Sequence, residues 1–206
     1  MRIEVGSIRQ WHWISASLSL AGMLVFAITG ITLNHATDIT IEPEIQVVEA
    51  SLPQDLLDQL SQLAQQQSEQ SGMNAQLPRS VQFWLAQMHD IQISPSASVE
   101  WTEEEIYLAM AGPGVDAWMA IDLSINELSY ERTDRGVIAY LNDLHKGRDT
   151  GVVWGWFIDI FAIICVMFCV TGLILLYRQA NHRSMTWPIT VLGLLAPCIL
   201  LLLFVH

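Results

Sequence analysis

Three long stretches with almost no charge constrain this chain more than any other feature. Ile14 to Leu33 carries no charged side chain, Gly151 to Tyr177 carries only Asp159, and Met185 to Val205 carries Pro188 at its start and Pro197 inside it. A bilayer core needs about 20 mostly apolar residues per helical crossing, and each run reaches that length. The chain therefore reads as a membrane protein with transmembrane helices over 14–35, 151–177 and 185–206. The first run also begins like a secretory signal. It is too long for a signal core and lacks the small residue expected three before a cleavage site, so it reads as an uncleaved anchor.

Lysine and arginine near helix ends set orientation, because they favour the cytoplasmic side. Arg2 and Arg9 precede the first helix, and Arg178 and Arg183 lie between the second and third. This predicts residues 1–13 and the link 178–184 inside, residues 36–140 in the periplasm of a bacterial inner membrane, and the carboxyl terminus outside. Lys146 and Arg148 fall on the wrong side for that rule, which points to a local role near 141–150, an interfacial segment.

Composition agrees once it is divided. Charged residues make up 15% of the chain, yet the net charge is −12, against about 25% charged in an ordinary globular protein. Between residues 36 and 140 there are 17 acids against Arg79, Arg132 and Arg135, a net −14. The rest of the chain is slightly basic. So acidic an exterior excludes nucleic-acid binding, which needs a basic face. Three cysteines give neither a disulfide framework nor a zinc spacing, and Cys165 and Cys169, four apart in an apolar helix, read as packing.

The acidic segment has its own pattern. Ser51-Leu52-Pro53-Gln54 opens a helix with a cap residue and an early proline. Leu52, Leu56, Leu60, Leu63 and Ala64 then form one stripe, the glutamine-rich stretch 65–70 is its solvated end, and Gly72 closes it. Val81, Phe83 and Leu85 alternate, as do Ile106, Leu108 and Met110 before the turn Gly112-Pro113-Gly114. Trp118 to Asp122 and Leu128 to Tyr130 follow, with a turn between them. The pattern predicts one helix packed on an antiparallel meander of three or four strands. Glu103-Glu104-Glu105 reads as a solvated strand entry.

The first two spans also resemble each other. LVFAITGITL (Leu24 to Leu33) aligns with VMFCVTGLIL (Val166 to Leu175), sharing Phe26/Phe168, Thr29/Thr171, Gly30/Gly172 and Leu33/Leu175. Two helices of opposite direction carrying one motif suggest a short inverted repeat; a common small pair for close helix contact is the alternative. Either way, the glycines mark places where backbone or a flat cofactor comes close.

Four of six histidines flank these two helices: His12 and His35 at the ends of the first, His145 before the second and His182 after it. Each taken singly reads as an interfacial amphiphile. Together they suit a haem, whose iron takes two axial imidazoles and whose propionates prefer the wet boundary. His12 and His35 are 23 residues apart, roughly 34 Å at ~1.5 Å per residue, so one haem does not use both. The outer pair, His35 with His145, is the first choice for haem iron, and the inner pair, His12 with His182, the second. Lys146 and Arg148 either neutralise propionates or anchor the helix at headgroups. Asp159, the one acid inside a span, either carries protons or orients a ring, or makes a structural bond to Thr29 or Ser17. Trp11, Trp13, Trp154, Trp156 and Trp187 read as an aromatic belt.

The stretches Arg9-Gln10-Trp11-His12-Trp13, Thr29-Gly30, Leu33-Asn34-His35 and Leu141-Asn142-Asp143-Leu144-His145-Lys146-Gly147-Arg148, with Asp159 and Thr171-Gly172, resemble the PepSY-associated transmembrane-helix family. In size the chain is similar to the family's small three-helix iron-uptake members, and more distantly to its siderophore reductases. The resemblance implies three membrane helices with an α+β PepSY-like periplasmic domain. It also implies a b-type haem protein that passes electrons to periplasmic ferric iron or ferric chelates, a ferric reductase supporting ferrous iron uptake. A quinol or flavin reductase inside would be the donor, a ferrous iron transporter a partner, and a homodimer would complete an open haem site. The competing reading is a non-enzymatic module in which the outer domain binds or regulates a neighbouring transporter or protease.

Overall fold

A computed structural model describes residues 6–39, 41–69, 76–95 and 97–205, apart from the side chains of residues 67–69 and 182. Three helices are long and apolar enough to cross a membrane: α1 (Ile8–Asn34), α5 (Gly151–Gln179) and α6 (Thr186–Phe204). Their backbones pair within each helix, as lipid requires, except that Pro197 of α6 has no N–H to donate to the Gly193 carbonyl. The chain divides into two compact units, one holding the residues up to Phe26 and from Trp156 onward, the other Ala27–Gly155.

In the first unit α1 and α5 run antiparallel. Phe26 stacks on Phe161 at 5.2 Å between ring centres, while His12 near the start of α1 stacks on Phe168 further along α5. A short turn, Ala180–His182, leads into α6, where Trp187 meets Tyr177 edge to face at 5.9 Å. α1 begins at Ile8, six residues before the apolar run, so His12 is helical rather than part of a loose terminus.

The second unit is a two-layer α+β fold. Its sheet has the order β1 (Glu44–Ala50), β5 (Glu127–Asp134), β4 (Val115–Asp122), β3 (Glu105–Ala109), β2 (Ser98–Trp101), all neighbours antiparallel. Residues two apart share a face, and the register puts Leu108 opposite Met119 and Ile121 opposite Leu128 on the buried one. Helices α2 (Gln54–Glu69) and α3 (Arg79–His89) cover that face with Leu56, Leu60, Val81 and Leu85. Each such side chain, fully buried, contributes about 1.5–3 kcal/mol.

Two expectations about this domain need correcting. Val81, Phe83 and Leu85 are not a strand but part of α3. Val81 and Leu85 are fully buried while Phe83 is 68% exposed, the signature of a four-residue helical repeat. Asp90 ends that helix in the left-handed conformation, its N–H donating to the Leu85 carbonyl. The meander β2–β5 is extended by β1, so the sheet has five strands and two covering helices. Gly72, expected to close α2, lies outside the described residues.

After β5 the chain makes α4 (Gly136–Lys146), so a boundary at Tyr140 would fall inside a helix. Gly114, at φ +69°, lies so close to α4 that a Cβ would come within 2.8 Å of the Tyr140 backbone. That glycine is required by both space and conformation. The β4–β5 turn closes on Asp122, whose Oδ1 accepts from the Ser124 hydroxyl at 2.6 Å and from the Ser124 and Ile125 amides. These bonds, the hydroxyl's foremost, hold the Asp122 carboxyl below its ordinary range.

Candidate functional site

In the first unit, His12 of α1 meets Thr171 of α5, Nδ1 to Oγ1 at 3.0 Å. The Thr171 hydroxyl has one proton, directed at the Met167 carbonyl 2.7 Å away. Its lone pair therefore accepts from His12 Nδ1–H, which selects the tautomer with a lone pair at Nε2. Phe168 stacks on the imidazole at 4.9 Å and 12°. A Cβ on Gly172 would lie 3.2 Å from His12 Cε1, tighter than ordinary contact. Threonine orients the ring, and glycine leaves room for it.

In the second unit the same residue types meet again. Thr29 Oγ1 and His145 Nδ1 are 2.7 Å apart, and a Cβ on Gly30 would lie 3.5 Å from His145 Cε1. Here the histidine belongs to α4, not to a membrane-spanning helix. One turn earlier on α4, the Asn142 amide oxygen accepts from the Thr32 hydroxyl at 2.9 Å. The repeat seen in the sequence is thus also a repeat of contact, each Thr-Gly pair receiving an imidazole.

The sequence matches the PepSY_TM-like family over residues 3–206. The chain belongs to the PepSY_TM-like family. No curated protein and no solved structure matches it.

The other expected site residues of this PepSY_TM-like chain are placed unevenly. His35 directs Nδ1 to Asp38 at 3.1 Å, with 55% of its side chain exposed. His35 and His145 thus rest on different partners, Asp38 and Thr29. The side chain of His182 lies outside the described residues, so His12 is described with Thr171 alone. Lys146 is exposed and has no ion pair among the described residues. Arg148 is engaged, at 3.4 Å from Asp116 and 3.2 Å from Asp149. Asp159 is exposed on α5 with no hydrogen bond or ion pair among the described residues. Ser17, one of the two partners expected for it, is exposed on α1.

An ion cluster beside the second contact was not foreseen. Asp143 is 1% exposed and accepts from Arg135 at 2.7 Å and from the Gly114 amide at 2.9 Å. Arg135 Nε also lies 2.9 Å from Asp116 Oδ2, without hydrogen-bond alignment, so that contact is one of charge alone. The cluster ties β4 to α4 and thereby sets where His145 stands in PepSY_TM-like packing. Its one sequence signal was two polar residues, Asn142 and Asp143, inside an amphipathic helix just before His145.

Proposed function

We propose that the protein is a membrane b-type haem protein, passing electrons to ferric iron or a ferric chelate on the side of its acidic domain in support of ferrous iron uptake. One observation carries this reading: the boundary histidines are held through Nδ1, His12 by Thr171 and His35 by Asp38. Iron-ligating imidazoles characteristically engage the other ring nitrogen in this way, which fixes the tautomer and raises ligand basicity. Imidazoles held in this way would present Nε2 to a haem iron. His35 with His145 remains the first choice and His12 with His182 the second, with Lys146 beside a propionate. When bound, haem supplies one-electron chemistry. The chain's own residues orient the imidazoles through Thr29, Thr171 and Asp38, and its acidic domain attracts the cationic iron. A quinol or flavin reductase would be the donor and a second copy the partner that completes the site.

The test is a reduced-minus-oxidised spectrum with haem quantified per chain. The expected result is a Soret band with sharp α and β bands, lost in His145→Ala and His35→Ala. A colourless preparation from haem-replete cells overturns the reading. The competing function, a partner-binding module, draws support from the second unit's own closed core. It prevails if growth on ferric iron survives loss of all four boundary histidines but not disruption of the sheet.

A further inference from the structure

An open pocket of about 370 Å³ lies against α4 in the second unit. Its lining includes apolar side chains, Leu33 of the last turns of α1 and Ile39, Ile41 and Ile138. Asn142 and Lys146, four residues apart and hence on one face of α4, also line the pocket. Asn142 is 5% exposed, and its amide oxygen is taken by Thr32. The amide nitrogen brings two further donors, neither paired with an acceptor among the described residues. Lys146 brings an ammonium with no ion pair there. The remaining charges are already spent, Arg135 on Asp143 and Asp116, and Asp143 on Arg135 and Gly114.

We propose that this pocket binds the anionic head of an amphiphile, a phosphate ester carried on an apolar tail. The Asn142 amide and Lys146 ammonium would take the phosphate oxygens, while Leu33, Ile39, Ile41 and Ile138 take the adjoining hydrocarbon. Three features select this class. The available donors, the Asn142 amide and the Lys146 ammonium, share one face of α4 and the unpaired charge is positive, so the head is an acceptor and anionic. Four aliphatic side chains also line the pocket, so the ligand is not a bare ion. The site lies at the end of a helix long enough to span a bilayer, where such molecules are concentrated. The inference competes with the haem reading for Lys146 alone and does not otherwise depend on it.

Two sources share this chemistry, a membrane phospholipid and a free phosphate ester, and the experiment separates them. The full chain is purified in mild detergent and exchanged into nanodiscs of phosphatidylcholine with or without phosphatidylglycerol, and retained lipid is counted by native mass spectrometry. The expected result is retention of phosphatidylglycerol over phosphatidylcholine by about fivefold, the effect of one lysine at an anionic surface. Lys146→Ala abolishes the preference and Lys146→Arg keeps it. Asn142→Leu also lowers retention, and a far-ultraviolet melt of each variant separates lost binding from lost folding. Displacement of the lipid by inorganic phosphate assigns the site to a phosphate head without need of the tail; no displacement assigns it to the lipid. Equal retention of the two lipids by the folded wild type overturns the proposal. So does a Lys146→Ala protein that loses haem but keeps its lipid preference, because the ammonium then serves a propionate.

Discussion

The two histidine–threonine contacts are built from the same residue types and held in different ways. In the first unit the histidine lies on α1 and packs against α5, with Phe168 stacked on its face and Gly172 close to its edge. In the second the histidine lies on α4, whose position depends on a buried carboxylate, an arginine and a turn glycine. A repeated motif thus specifies a local contact, while the surroundings decide what disturbs it. Packing holds the first imidazole. Charge and capping hold the segment that bears the second.

The largest expected effect separates the two. Asp143→Ala leaves Arg135 without its closest partner and the Gly114 amide without an acceptor. Breaking a buried pair costs about 3–5 kcal/mol; with Arg135 28% exposed, solvent screening reduces this to roughly 2 kcal/mol. Hydrogen exchange should rise in α4 and around Gly114 while His12 keeps its imidazole resonances. Equal disturbance of both histidines would break the comparison.

A matched pair of substitutions sharpens it. Alanine in place of glycine within a helix gains up to about 1 kcal/mol of propensity. At Gly30 the added methyl meets His145 at 3.5 Å, so that gain should survive as a small rise in melting temperature. At Gly172 the methyl meets His12 at 3.2 Å, and overpacking of about 1–3 kcal/mol offsets the gain. Gly172→Ala should melt lower and shift the His12 ring signals; identical responses at both sites would remove the distinction.

Thr171→Val and Thr29→Val should each cost about 1 kcal/mol, the net worth of one hydrogen bond. For His12 the added readout is the tautomer, with nitrogen chemical shifts moving from one form towards a mixture. The smallest effect lies far from both contacts. Because Asp122 has a lowered pKa in the fold, its contribution is present above the unfolded value and lost as pH falls through the folded one. Amide exchange at Ser124 and Ile125 should quicken only in strong acid, and Asp122→Asn should remove that dependence.

How much of this was legible in sequence depends on which force decides each element. The three membrane helices follow from length and lack of charge alone. Strands β3, β4 and β5 follow because alternate residues such as Ile106 and Leu108 are buried. Helix α3 was misread because an exposed Phe83 between Val81 and Leu85 imitates alternation. Strand β1 was missed because only Val48 and Ala50 pack against the core while Ile45 and Val47 are exposed, so much of its order comes from pairing with β5. The Thr-Gly repeat and the histidines were both visible. Their pairing was not, since joining His145 to Thr29 needs the fold of the intervening domain, and Asp143 shows its role only once Gly114 comes beside α4.

The pairing of β1 with β5 has a consequence in time. Ala50 pairs with Leu128 and Glu44 with Asp134, so residues of β1 leave the ribosome 78 to 90 residues before their partners. At about 5–20 residues per second, the strand waits for several seconds with an unpaired edge and with Ile45 and Val47 in contact with solvent. Glu44 and Glu49 at its ends supply the charge that discourages such an edge from joining another chain in that interval.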